Sequence, residues 1–195
     1  MTTDSELIRR SRDSPRAFGP LFDRHSAVVH RYISRRAGSD VADEVMSETF
    51  LVAFERRDRF DHTWSDARPW LLGIATTLLK AYRRREARHL QTSARSAEPE
   101  GDDGGIPRVA DRTDATRSLQ EIAAAVRSLS PGDRDVLLLH AWGDLNSTEI
   151  ATALGIPAGT VRSRLNRARK ALRGSSAGIT DMETDHGRAD APAQA

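Results

Sequence analysis

The sequence predicts an all-α protein built from two small helical domains joined by a flexible linker, the second containing a helix-turn-helix. Three observations predict it. Apolar residues recur at helical spacing through both blocks, no run alternates over the length of a strand, and a stretch rich in Gly, Asp, Glu, Ser and Pro parts the two. The first block spans 15–92. Phe18, Leu21, Phe22, Val28, Val29, Tyr32 and Ile33 make an amphipathic stripe, and Gly38 ends that helix. A second helix starts at Ser39 or Asp40, with Asp40 and Asp43 as a start resembling a capping box. It runs through Val41, Val45, Met46, Thr49, Phe50, Val52 and Ala53. A loop follows from Asp58 to Asp66. Pro69 then sits near the start of a third helix, where proline is tolerated because its missing N–H would have had no partner there. Its stripe is Trp70, Leu71, Ile74, Ala75, Leu78 and Tyr82, and it ends in Arg83-Arg84-Arg85 and Arg88.

Residues 93–116 have no apolar period and read as a flexible linker. The second block, 117–173, opens on the stripe Leu119, Ile122, Ala123, Val126, Leu129. Ser130-Pro131-Gly132-Asp133 then reads as a capping box with proline at the first helical position. That helix carries Val136, Leu137, His140 and Ala141 and is expected to break at Gly143. Asn146, with Glu149 three residues on, caps a short helix holding Ile150, Ala151 and Leu154. Gly155-Ile156-Pro157 turns the chain into a last helix from about Ala158 to Arg173. The tail 174–195 is polar and reads as disordered.

Composition narrows the function. The 195 residues are 30% charged and 38% hydrophobic, and the longest apolar runs, such as Val136–Leu139, are far too short to span a membrane. The N-terminus lacks the apolar core of a secretory signal, and no cysteine is present, which fits a cytoplasmic protein and excludes disulfides, thiol nucleophiles and Cys-ligated metals. Charge is segmented. Residues 1–92 hold 17 Lys/Arg against 13 Asp/Glu and residues 117–173 hold 9 against 5, whereas 93–116 hold 3 against 6 and 174–195 hold 1 against 4. Two basic blocks, separated and trailed by acidic segments, suggest two contacts with polyanions.

The strongest local signal is NSTEIATALGIPAGTVRSRLNRARKALR at 146–173: short helix, glycine-containing turn, second helix. At 100° per residue, Val161, Leu165, Ala168 and Leu172 cluster within about 60° as a buried seam. Ser163, Asn166, Arg167 and Lys170 point away, flanked by Arg162, Arg164, Arg169 and Arg173. Arginine reads guanine, asparagine reads adenine, and both grip phosphate. Thr160, Ser163, Arg164 and Arg167 are thus candidates for base contact, the later arginines for phosphate. The basic stretch from Lys80 to Arg88 is a second candidate surface. No His-Glu-x-x-His, phosphate-binding glycine loop or nucleophile elbow occurs, so neither a catalytic residue nor a metal or cofactor site is expected. His25 falls on the apolar stripe and reads as a packed histidine. Asp43, Glu44, Glu48 and Glu55 give the second helix an acidic outer side.

Three stretches together resemble the extracytoplasmic-function (ECF) sigma factors of bacterial RNA polymerase, within the sigma-70 superfamily: 21–60, 67–88 and 128–173. The pairing of Asp43-Glu44-Val45 through Phe50 with Pro69-Trp70-Leu71 before Ile74 is the specific part. The resemblance implies that the helix with Asp43, Glu44, Ser47, Glu48 and Phe50 docks on a coiled coil of the largest subunit of core RNA polymerase. It implies that Trp70, Thr76, Thr77, Lys80, Arg83 and Arg84 face the −10 promoter element. It implies that Thr160, Arg162, Ser163, Arg164, Asn166, Arg167 and Arg169 read the −35 element, with the second domain on the polymerase flap. The chain departs from the family at Ser47, Thr77, Lys80 and Pro157, where Gln, Asn, Asp and Ser are common. Many relatives are held by an anti-sigma factor. Two other readings compete: a stand-alone helix-turn-helix regulator, and a helical adaptor that does not touch DNA.

Overall fold

The computed structural model describes residues 2–93 and 114–175, and side chains over 2–89 and 120–173. Most of the segment read as a linker, and the tail beyond Ser175, lie outside the described residues. Eight α-helices and no strand occur among them: α1 (Asp4–Arg10), α2 (Gly19–Ala37), α3 (Ser39–Glu55), α4 (Arg68–Ser93), α5 (Asp114–Ser128), α6 (Pro131–Gly143), α7 (Ser147–Leu154) and α8 (Ala158–Ser175). Short 3-10 turns, Pro15–Phe18 and Arg57–Arg59, precede α2 and follow α3.

Most boundaries follow from local chemistry. Ser130 accepts from the Asp133 N–H at 3.2 Å and Pro131 occupies the first turn of α6. Asn146 and Glu149 form a complete capping box, with the Asn146 side chain accepting from Thr148 and Glu149 N–H groups and Glu149 accepting from the Asn146 N–H at 2.8 Å. A cap of this kind contributes about 1 kcal/mol, which matters for a helix of only 8 residues. Gly155 ends α7 at φ +63°, a conformation that glycine adopts without a Cβ clash.

Three boundaries differ from expectation. α3 is preceded by Gly38 at φ 87° with no side-chain cap, so Asp40 and Asp43 do not form the box. The break after α6 falls one residue later than expected. Gly143 is still helical and Asp144 takes the left-handed turn at φ 53°. Gly143 serves a different need: a Cβ there would lie 2.9 Å from Leu72 Cδ1. α1 was not expected at all. Its 7 residues offer only Leu7 and Ile8 to the core, too few to make a periodic signal.

One continuous core runs through the described residues. It joins Leu21, Val29, Tyr32 and Ile33 of α2, Val45, Phe50 and Ala53 of α3, and Leu71, Leu72, Ala75 and Leu79 of α4 to Val136 and Leu139 of α6, Ile150 of α7, and Val161 and Leu165 of α8. The first block is thus a bundle of α2, α3 and α4, and the helix-turn-helix of the second packs against α4. Contact there is backbone-close. A Cβ on Gly73 would stand 2.2 Å from the Ala153 carbonyl oxygen, so only glycine lets α4 and α7 approach this far. The 26-residue α4 is about 39 Å long, and from Ala81 onward most of its residues are exposed.

Candidate functional site

In α8, Val161, Leu165 and Ala168 are buried and Leu172 is half-buried, which leaves the opposite face to solvent. Arg162, Ser163, Asn166, Arg167 and Arg169 are exposed; Thr160 and Arg164 are half-buried. The Ser163 hydroxyl donates to the Thr160 carbonyl at 2.9 Å. Arg167 makes a two-pronged ion pair with Asp133 of α6, Nε to Oδ2 at 3.1 Å and a terminal nitrogen to Oδ1 at 2.7 Å. The Arg167 hydrogen bond holds the Asp133 carboxyl below its ordinary pKa, ahead of the opposing effect of burial. The guanidinium is therefore pre-set on one rotamer rather than swinging freely. A Cβ on Gly132 would lie 2.7 Å from an Arg164 terminal nitrogen, so Arg164 also leans on the first turn of α6.

The α4 candidates divide. Thr77 and Arg84 are exposed; the Thr77 hydroxyl donates to the Gly73 carbonyl at 3.0 Å. Trp70 is half-buried, edge-on to Phe60 with centroids 5.2 Å apart. Arg83 donates to the Arg36 carbonyl. Thr76 is fully buried. Its hydroxyl donates to the Leu72 carbonyl at 2.7 Å and shares a 2.8 Å hydrogen bond with the Tyr32 hydroxyl, which accepts from Arg36 at 2.6 Å. Burial pushes the Tyr32 phenol pKa up, so it stays protonated and completes the relay. Arg36 in turn pairs with Asp135 of α6 at 2.7 Å, and Lys80 Nζ lies 2.5 Å from the other Asp135 oxygen.

On α3, Asp43, Glu44, Ser47 and Glu48 are exposed and share one face. Phe50 is not on that face. It is buried against Phe22, with ring centroids 4.8 Å apart. The exposed apolar residue on the acidic face is Leu51, 56% accessible, with Phe22 at 40% nearby in the bundle. Leu51 was missed by the sequence reading although its spacing from Glu44 and Glu48 puts it on the same face.

Asp4, His25 and Asp66 each bring a possible ligand atom within 4.8 Å of one another. The cluster is occupied by protein contacts. Asp4 Oδ1 pairs with Arg24, and Oδ2 takes His25 Nε2 at 2.6 Å and the Ala67 N–H at 2.8 Å. A guanidinium already stands where a cation would, so the group works as a strap between α1, α2 and the start of α4. His25 is buried, as its place on the stripe predicts. No helix among the described residues is long and apolar enough to cross a membrane.

Comparison with known proteins agrees with this arrangement. The Sigma-70 region 2 family matches residues 21–89 and the Sigma-70 region 4 family matches residues 119–172. The ECF RNA polymerase sigma factor SigL of Mycobacterium tuberculosis is 34% identical over 156 residues, covering 78% of this chain and 85% of that protein. The RNA polymerase sigma factor NccH of Alcaligenes xylosoxydans xylosoxydans is 32% identical over 178 residues, 88% of this chain and 93% of its own. Among solved structures, CnrH in complex with the cytosolic domain of CnrY matches with a TM-score of 0.60 and 25% identity over 88% of this chain and 95% of that one. RpoE from Bartonella quintana, solved with the anti-sigma factor NepR, shares the fold at a TM-score of 0.60 and 21% identity, over 82% of this chain and 96% of its own. The chain belongs to the ECF family of RNA polymerase sigma factors.

Proposed function

We propose that this sigma factor binds core RNA polymerase through the acidic face of α3 and directs it to promoters read at two places. α8 meets the −35 element in the major groove through Thr160, Arg162, Ser163, Arg164, Asn166, Arg167 and Arg169. α4 meets the −10 element through Trp70, Thr77, Lys80, Arg83 and Arg84, whereas Thr76, fully buried against Leu72 and Tyr32, supports the helix from within and does not face DNA. Asp43, Glu44, Ser47 and Glu48 supply the polymerase contact, with Leu51 as its apolar centre and Phe50 holding the helix from behind. The working units are 15–92 and 117–173, joined through 93–116 and followed by 174–195. Chemistry stays with the polymerase; this chain selects where it begins, which places it in the cytoplasm beside the chromosome. Two modest DNA contacts on one enzyme gain affinity through effective concentration, so the chain alone binds DNA weakly. An anti-sigma factor is a fitting further partner, since RpoE, which shares the fold, was solved with the anti-sigma factor NepR.

The observation that carries this reading is α8 itself: a buried seam of Val161, Leu165 and Ala168 behind an exposed face of Arg162, Asn166, Arg167 and Arg169. The test is transcription by core polymerase plus this chain on a library of promoter fragments, with the transcripts sequenced. Defined starts sharing −35 and −10 sequences support the reading. DNA bound by the chain alone, with no polymerase association, favours a stand-alone regulator and overturns it.

A further inference from the structure

We propose that Asp133, in the first turn of α6, is a positioning residue for DNA reading: its carboxylate brackets the Arg167 guanidinium of α8 from one side, so that the free outer edge of that guanidinium is held out as a fixed fork for a guanine in the major groove. The inference rests on the reading of α8 given above and deepens it.

Three observations carry it. First, the pair joins a buried acceptor to an exposed donor. The Asp133 side chain is 10% accessible and the Arg167 side chain 59%. The carboxylate is fixed by the capped start of α6, where the Asp133 N–H donates to the Ser130 hydroxyl at 3.2 Å, and Arg167 reaches back to it across 34 positions of sequence. Second, the contact uses one edge of the guanidinium and leaves another. Nε donates to Oδ2 at 3.1 Å and Nη2 to Oδ1 at 2.7 Å. A guanidinium carries five N–H groups, so Nη1 and the second hydrogen of Nη2 still form a two-pronged outer edge. Third, the same turn is shaped around a second arginine. A Cβ on Gly132 would lie 2.7 Å from a terminal nitrogen of Arg164. Arg164 and Arg167, one helical turn apart on α8, therefore share one support, and the charge of Arg164 adds to the bonds that keep Asp133 ionised.

Those facts set Arg167 apart from its neighbours. Arg162 and Arg169 are exposed and, among the described residues, paired with no carboxylate. A long, free-swinging cation of that kind suits phosphate. A bracketed guanidinium has its rotamer already chosen, so less freedom is lost when it meets a base. Its outer edge holds donors only, and guanine presents two acceptors, O6 and N7, at matching spacing. The bracket acts in the opposite sense on indiscriminate binding. Asp133 offsets the charge of Arg167 and so weakens its pull on any phosphate. Asp133 thus raises selectivity and lowers sequence-independent affinity at once.

The experiment uses holoenzyme reconstituted from core polymerase and the full chain. Promoter fragments randomised across the −35 region are bound, and the bound DNA is sequenced to give the base preference at each position. Random duplex is titrated separately at several salt concentrations. The variants are Arg167→Ala, Asp133→Asn, Asp133→Ala and the double variant Asp133→Asn, Arg167→Ala. Arg167→Ala is expected to erase a guanine preference at one position. Each Asp133 variant should reduce that preference about tenfold and leave the other positions unchanged. Each should bind random duplex as tightly as wild type or tighter, with a log–log salt slope steeper by up to about 0.9 as the released arginine takes a phosphate. A damaged fold would weaken both kinds of binding together. In the Arg167→Ala background, Asp133→Asn should change neither preference nor slope. Asp133 variants that keep the Arg167-dependent preference overturn the bracket and leave the reading of α8 standing. Loss spread over all positions, or the same loss without Arg167, also overturns it and reduces Asp133 to a support of the fold. If no position depends on Arg167, the guanine contact falls and the bracket with it. If the holoenzyme shows no preference anywhere in the −35 region, the reading of α8 itself falls.

Discussion

Replacing Asp4 by asparagine removes one negative charge from beneath α4 while keeping size and shape. Three groups converge on that carboxylate: Arg24, His25 Nε2 at 2.6 Å and the Ala67 N–H at 2.8 Å. An amide has one oxygen for two sides. Turned toward Ala67 and His25, it points its NH2 at the Arg24 guanidinium; turned the other way, it points the NH2 at the Ala67 N–H. Either rotamer sets donor against donor in a site where Asp4 is 2% accessible. Hydrogen bonds to a charged group contribute about 1.5–3 kcal/mol each, and the half-exposed Arg24 contact adds little. The expected loss is about 2–4 kcal/mol, or roughly 5–12 °C in Tm for a chain of this size. The assay is urea unfolding followed by circular dichroism, at several pH values. Burial alone would raise the Asp4 pKa, but the His25 and Ala67 hydrogen bonds outweigh it and hold the carboxyl below 3.8. The stabilisation is therefore complete above the unfolded value and lost as pH falls through the lower folded one. The gap between wild type and variant should be constant near neutrality and close below about pH 4. A loss under about 1 kcal/mol, or a gap that persists where Asp4 is protonated, would refute the reasoning.

The α8 seam gives a second outcome: Leu165→Ala should cost about 2–4 kcal/mol, measured by the same unfolding assay, and abolish duplex binding at temperatures where the block melts. Arg162→Ala or Arg169→Ala should lower the slope of log affinity against log salt by about 0.9 for each phosphate contact removed, read by fluorescence anisotropy on duplex DNA. Leu51→Asp should weaken association with core polymerase at least tenfold while leaving the unfolding midpoint unmoved, since the side chain is 56% exposed. Asp133→Asn should free Arg167. Because the Asp133 carboxyl is held below its ordinary pKa, any stability it adds is present at neutral pH and disappears as acid protonates it, which a pH series of melting curves will record.

Helix periodicity made the architecture readable because each long helix buries one stripe against neighbours close in sequence. The caps were readable for the same reason: Ser130 and Asn146 bond groups two or three residues away. α1 was not, since it is held by Asp4 contacts to residues 20 and more positions distant. Helix α8 was legible nearly residue by residue, its buried seam and its exposed arginine-rich face alike. On α3 the acidic face was legible and so was the burial of Phe50, which lies on the apolar stripe; the resemblance alone put Phe50 at the polymerase contact, and Leu51, the exposed apolar residue of that face, was not picked out. The α4 site was least legible. An arginine near a helix end reads as surface, and nothing in the neighbourhood of Arg36 signals a carboxylate in the other block. Only the fold shows that Thr76, Tyr32, Arg36, Asp135 and Lys80 form one connected group.

Gly73 and Gly143 bear on how such proteins can be recombined. Each is small for the sake of an atom belonging to the other half of the chain: the Ala153 carbonyl for one, the Leu72 methyl for the other. The two halves are therefore matched parts. A chimera that joins residues 1–93 to a second block lacking a glycine at the place of Gly143 would meet Leu72 with a side chain, and one lacking Asp135 would leave the buried Arg36 without its carboxylate, held by the Tyr32 hydroxyl alone. Such hybrids would keep both helical blocks and yet pack them differently, so the behaviour of a hybrid would depend on the fit between donors as well as on the blocks themselves.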